Sequence, residues 1–242
     1  MPTGIIINGL SIIGGGIAGT VIGHKLSHEL KESLTMVFAI CAMAMGINSI
    51  VLMKNMPAVI LAVVIGTAIG IIIHLGNKIN VAAVGMQKVI GQFIKNDKAG
   101  IPEDEFMNTL VTVIVLFCTS GTGIYGSIVS GMSGDHSILI SKSILDFFTA
   151  MIFACNLGAV VSAIAIPQII IFLLLFLGAG MIYPMTTPDM ISDFKACGGF
   201  LMLATSFRMM KVKKFPTADM IPSMLIVMPI SWLWNIICQV LI

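Results

Sequence analysis

Residues 111–131 read VTVIVLFCTSGTGIYGSIVSG. The run is long enough to cross a bilayer, which takes about 20 apolar residues. Its centre, however, is TSGTG at 119–123, and each helical glycine costs about 1 kcal/mol relative to alanine. Backbone that unwinds at membrane depth is tolerated only where protein buries it or where it lines a cavity. A broken transmembrane helix at Thr119, Ser120, Gly121, Thr122 and Gly123 is therefore expected. Its freed carbonyls could coordinate a cation, and the helix start beyond the break could hold an anionic group.

Working outward, the rest of the chain has the same solvent. Of its 242 residues 57% are hydrophobic and only 10% charged, against about 25% charged in soluble domains. Lipid must surround much of the surface. A net charge of +2, with basic residues scattered through the loops, points away from nucleic acid. The five cysteines, Cys41, Cys118, Cys155, Cys197 and Cys238, lie in or beside apolar runs without a CxxC pair, so free, buried thiols are expected. The first apolar run lacks a basic leader and a cleavage site, so it is read as a retained helix.

Apolar spans fall at 4–23, 34–53, 57–75, 106–131, 144–165, 167–184, 196–210 and 218–240. They predict an all-α integral membrane protein of about eight transmembrane helices. Residues 79–96 carry Gln87, Lys88 and Gln92 among apolar positions and read as an amphipathic helix in the interface. With both termini outside, ten of the 13 basic residues fall in inside loops and three outside, as the positive-inside rule requires. If 79–96 spanned, that bias would vanish. The expected location is a bacterial plasma membrane, multi-pass.

A weak internal repeat is visible. GGGIAGTVIG at 14–23 resembles GTGIYGSIVSG at 121–131, and AMAMGINS around Asn48 resembles FACNLGAVVS around Asn156. Three crossings separate the copies, which gives them opposite orientation, the inverted-repeat plan of many secondary transporters. The division is 1–97 as first repeat, 98–105 as cytoplasmic linker, 106–213 as second repeat and 214–242 as a terminal helix. Breaks are expected in both copies, at Gly14, Gly15 and Gly16 as well as at 119–123. The alternative for the glycines is close packing. Gly15, Gly19 and Gly23 form one small-residue ridge and Gly66 with Gly70 another, and such ridges also suggest a homodimer.

Other polar residues supply further candidates. Asn48 and Asn156 could line a pathway or bond between helices. Lys142 and Asp146 are four apart and can pair, with Asp146 just inside the fifth span, where an ionisable group is often functional. His24, His28 and Glu32 have a spacing that can bind metal, but a solvated inner face is the plainer reading and no metal site is expected. Gly131-Met132-Ser133-Gly134 matches a short intramembrane-protease signature with His136 nearby. No later span offers a histidine base, so no enzyme is expected. The 19 methionines are dispersed and read as packing residues.

Several stretches together carry a family likeness: LFC at 116–118, GDHSILISKSILD at 134–146, IFACNLG at 152–158, and ACGGFLML followed by MIPSMLIVMPI. The chain resembles a bacterial integral-membrane family catalogued as domain of unknown function 554, of YdfK and YqgA type, over nearly its whole length. The resemblance implies a polytopic membrane protein and no particular activity.

The function expected from these residues is a secondary transporter or small-solute or ion permease, with a midplane site between the repeats. A channel and a non-transporting sensor or scaffold are the alternatives. No P-loop is present and no cofactor is expected; the partners are the lipid bilayer and a small solute or ion. Replacing Gly15 or Gly121 by leucine is expected to stop flux without unfolding the protein.

Overall fold

A computed structural model describes residues 1–22, 27–93, 103–213 and 215–241. The described elements are helices, in chain order α1 (Thr3–Ile22), α2 (His28–Ile50), α3 (Met56–Ile72), α4 (Leu75–Phe93), α5 (Glu103–Cys118), α6 (Gly121–Ser133), α7 (Ser137–Leu157), α8 (Val160–Ala163), α9 (Ala165–Ile182), α10 (Pro188–Met209) and α11 (Ile221–Leu241), with one 3₁₀ turn at Tyr183–Met185. Side chains such as Leu10, Leu174 and Leu225 stand more than half exposed on the outside, which only a lipid solvent makes favourable.

Local chemistry sets the helix ends. Ser27 accepts from the amide of Leu30 and starts α2. Pro57 sits in the first turn of α3. Thr187 caps the start of α10 by accepting from Met190, with Pro188 next in line. Gly134, at φ 71°, closes α6 in the left-handed conformation, which glycine adopts without steric cost.

Among the described residues six stretches are long and apolar enough to cross a membrane: Thr3–Ile22, Glu29–Ile50, Thr109–Ser133, Ser137–Leu157, Val160–Met185 and Ile221–Cys238. α3 and α4 pass the same test as a pair bent by 60°, which makes up to seven. Eight were expected. The difference lies in α3, with 17 residues of its own, and in α10. The latter is not a short apolar span at 196–210 but a 22-residue helix carrying Asp189, Asp193, Lys195 and Arg208. Residues 79–93 of the segment expected at the interface lie in α4, set off from α3 at Ile73 and His74 (φ 51°), and residues 94–96 lie outside the described residues.

Two groups of helices flank α6 and also touch each other where α2 meets α7. One group holds α1, α7 and α9; the other holds α2, α3, α10 and α11. α6 packs on α7 and α9 of the first and on α10 of the second. Its residues from Gly121 to Ser127 are all buried.

The expected break at Gly14, Gly15 and Gly16 is absent: α1 runs unbroken from Thr3 to Ile22. These glycines serve the packing alternative. A Cβ at Gly15 would strike the backbone carbonyl of Phe147, at Gly16 the side chain of Ser162, and at Gly19 the carbonyl of Met151. The absence of side chains lets α1 lie directly on α7. α2 and α10 approach each other in the same way at Gly46 and Gly199. Gly66 abuts the backbone of Ser223 within α11 and Gly70 that of Asp219 just before it, so the ridge that suggested a dimer is occupied inside one chain. Gly23 lies outside the described residues.

Gly15→Leu and Gly19→Leu should therefore each destabilise the fold by about 2–3 kcal/mol, the usual scale of overpacking, rather than stop flux in an intact protein. Gly85, whose added Cβ would meet nothing within 4 Å, should accept alanine with no loss of stability and a gain of up to about 1 kcal/mol. Thermal unfolding in mild detergent separates the two classes. Equal melting temperatures for Gly19→Leu and the wild type would contradict the packing account.

Candidate functional site: a cavity at the broken helix and a buried polar ladder

The second expected break is present. α5 ends at Cys118 and α6 begins at Gly121. Between them Ser120 takes an extended conformation (φ −65°, ψ 136°) and its hydroxyl accepts from the amide of Gly123 at 3.1 Å. The hydroxyl thus serves one of the amides left free at a helix start. Thr119 donates its hydroxyl back to the Val115 carbonyl at 2.7 Å.

A cavity of about 370 Å3 lies at this break. Thr119 and Ser120 lie in its lining, and α2, α4, α5, α7 and α10 contribute Thr35, Asn80, Thr112, Thr149 and Thr205. Arg208, Lys211 and Thr217 lie at the end of α10 and in the segment leading to α11. The Arg208 guanidinium donates to the Thr217 hydroxyl at 3.0 Å. Apolar walls come from Val115, Leu116, Ile152, Phe153 and Met209. Gly121, Thr122 and Gly123 lie past the break and outside the lining. Gly121 is fitted against Leu201 of α10 and Gly123 against Phe172 of α9.

A second polar centre lies elsewhere in the molecule. Asp146 sits in the middle of α7, because that helix starts at Ser137 rather than at residue 144 as expected. Lys142 donates to its Oδ2, and the Asn8 amide of α1 donates to the same oxygen at 2.8 Å. Gln168 of α9 donates in turn to the Asn8 carbonyl oxygen at 2.6 Å. Asn8 and Gln168 are 0% exposed, Lys142 4% and Asp146 7%. The ammonium also stands 5.8 Å from the ring centre of Phe117, within reach of a cation–π contact. The expected pairing is present, and it is a buried ion pair rather than a surface one. With an ammonium already on the carboxylate, the cluster is neutral and ill suited to a cation. Gln168 Oε1 has no hydrogen-bond partner.

A second buried acid was not singled out from sequence. Asp193 of α10, 0% exposed, accepts from the amides of Lys54 and Asn55 at 2.8 and 2.9 Å, from the Asn55 side chain at 2.9 Å and from Ser231 of α11 at 2.6 Å. It ties the α2–α3 turn to α10 and α11.

Other sequence candidates fall apart. Asn48 and Asn156 are exposed and outside the cavity, so the repeat-matched asparagines do not meet at a site. Ser133 donates to its own helix at Val129, while His136 Nδ1 pairs with Ser130 at 2.6 Å; the protease-like signature thus lacks its serine–histidine contact. Beside it, Asp135 is held below the ordinary carboxylate range, chiefly by the hydroxyl of Ser137 and then by its amide. Among the described residues no three His, Cys, Asp or Glu side chains come together; His24 and the side chain of His28 lie outside them. Cys118 and Cys197 are buried thiols as expected, whereas Cys41 is exposed.

With this geometry in hand, residues 3–232 match the model of the family described as "Protein of unknown function (DUF554)". The chain belongs to this family. It is similar to the "Uncharacterized protein YqgA" of Escherichia coli (strain K12), at 42% identity over 235 residues, covering 97% of this chain and 98% of that one. It is also similar to the "Uncharacterized membrane protein YdfK" of Bacillus subtilis (strain 168), at 28% identity over 236 residues, covering 92% and 93%. No solved structure matches it. The protein is a multi-pass membrane protein of a bacterial family.

The ion pair gives a direct test. Lys142→Met leaves a buried carboxylate without its counter-charge, and Asp146→Leu leaves the ammonium; each should cost about 3–5 kcal/mol. The double variant should recover most of that loss, because the penalty belongs to the uncompensated charge. A double-mutant cycle on thermal unfolding checks this, and additive losses would show the two groups to be uncoupled.

Proposed function

We propose that the protein is a secondary transporter that carries a small solute. One observation leads: a cavity lined by both polar and apolar side chains includes the residues at which a spanning helix is interrupted. Interrupted helices are where transporters hold their substrates, because the freed backbone groups and the side chains around them face a shared space. The size suits a small molecule, within the range of about 300–1,000 Å3 common for ligand pockets.

The packing beyond the break favours a carrier over a channel. A channel needs a continuous wet pore, whereas α6 is buried on every side from Gly121 to Ser127. A solute reaching Ser120 would wait for that packing to open. Arg208 and Lys211 line the cavity, and the basic-residue bias assigns both to the cytoplasmic side. On this topology both termini lie outside the bacterial plasma membrane and α3 and α10 also cross, for eight crossings. The inverted repeat rests on sequence likeness alone, since only one of its two expected breaks is present.

Purified protein in proteoliposomes, exposed to a panel of small polar solutes, should admit at least one at a saturating rate. Thr149→Trp, which fills the cavity from α7, should reduce entry to the rate of protein-free vesicles while the protein still melts cooperatively. Entry no faster than in protein-free vesicles for every solute would favour the scaffold reading. Unitary conductance in planar bilayers would favour the channel.

A further inference from the structure

The chemistry of the cavity lining goes further than its size. Among the described residues its lining contains two cationic side chains, Arg208 and Lys211, together with six threonines, one serine and one asparagine, and no aspartate or glutamate. Arg208 uses Nη1 on Thr217, and a guanidinium carries five N–H donors in all. Lys211 stands 3.9 Å from the Glu32 carboxylate, with both groups largely exposed. Such a loose surface pair screens little of the ammonium field. Asp219 adjoins the lining residue Ala218, but its Oδ1 accepts from the amide of Gly76 at 2.7 Å to cap the start of α4. The remaining carboxylates of the core, Asp146 and Asp193, are neutralised or fully hydrogen-bonded in their own clusters and do not line the cavity.

The uncharged lining adds a second constraint. Thr35, Thr119 and Thr205 each donate their hydroxyl to a carbonyl four residues back, at 2.8, 2.7 and 2.8 Å. Toward the cavity they present lone pairs, which suit O–H or N–H groups on a ligand. Ser120 accepts from Gly123, so its own proton is available to an acceptor. Val115, Leu116, Ile152 and Phe153 supply apolar wall for a carbon skeleton.

We propose that this cavity admits small organic anions in preference to cations of the same size, with Arg208 as the main source of the preference. The inference rests on reading the cavity as a solute path and names the charge of what travels along it. Clefts lined by one sign of charge raise the local concentration of the opposite ion by tenfold or more. The described lining thus combines two cations, hydroxyl groups and apolar wall.

The test uses thiol reagents that are themselves small organic ions. Thr205→Cys and, separately, Thr149→Cys are made in the full chain with native cysteines retained, in an uncharged detergent. Each is treated with sulfonatoethyl methanethiosulfonate and with its trimethylammonioethyl counterpart. The thiolate forms a mixed disulfide, releasing methanesulfinate, and mass spectrometry locates the adduct. The anion-to-cation rate ratio, normalised to that of free mercaptoethanol, should be raised about tenfold or more. Arg208→Gln should return it toward one, and Arg208→Lys should keep most of it. Two positions on different helices guard against one variant failing to fold. A normalised ratio of one or below overturns the anion preference while leaving transport to be judged by flux. A ratio unaffected by Arg208→Gln overturns the role of Arg208. Failure of both reagents to reach either thiol in folded protein overturns the cavity itself, and the transport reading with it.

Discussion

In hydrocarbon no water waits to satisfy a backbone amide or carbonyl, so a spanning helix can be cut only where the fold supplies replacements. The cut at Thr119–Ser120 depends on this. Ser120 serves the Gly123 amide, and the end of α5 opens on the cavity rather than on lipid. Closing the space around the cut requires α6 to sit at the centre of the molecule. It meets α7 at Gly126, α9 at Gly123 and Gly131, and α10 at Gly121. A bulkier α6 would hold these neighbours apart, and the site at its start would lose its walls.

The two deeply buried acids meet a related constraint in different ways. Asp146 has an ammonium partner and a side-chain amide; Asp193 has two backbone amides, a side-chain amide and a hydroxyl. Asp146 joins α1 and α9 to α7, and Asp193 joins the α2–α3 turn and α11 to α10. Each therefore fastens one of the two helix groups that flank α6. Because a buried, unpartnered polar group is costly, these contacts also fix which helices can be neighbours. Apolar matching alone specifies neighbours poorly in lipid, where the surrounding chains are as apolar as leucine.

Much of this was legible in sequence, and the failures have physical causes. The interrupted helix at 119–123 was readable because polar and glycine residues interrupt an apolar run. The same glycine signal misled at Gly14–Gly16, since glycine serves close packing as well as unwinding, and only the neighbour decides between them. Here the neighbours are the Phe147 and Met151 carbonyls on α7. The Lys142–Asp146 pair was readable from its spacing of four. Its depth was not, because the start of α7 depends on the left-handed Gly134 and on contacts made by GDHS. Asn8, Gln168 and Asp193 lie far apart in the chain, and no local pattern announces their partners. Asn48 and Asn156 looked alike in sequence, yet both face outward. The cavity threonines come from α2, α5, the break after it, α7, α10 and the segment before α11, and become one surface only after folding.

The packing of α6 holds the helix start beside Ser120 in place. Its glycines face three different helices, whose side chains fill the spaces they leave: Leu201 of α10 at Gly121, Phe172 of α9 at Gly123 and Leu139 of α7 at Gly126. Tyr125 lies against Gly198 of α10 and near the Phe194 ring at 6.0 Å, and Ile124 and Val129 join it in the apolar core shared with α3, α10 and α11. The groups on either side are internally fastened by their polar clusters and by backbone-to-backbone glycine contacts. Interiors packed this closely transmit strain, so the geometry at the break is set by all three neighbouring helices together.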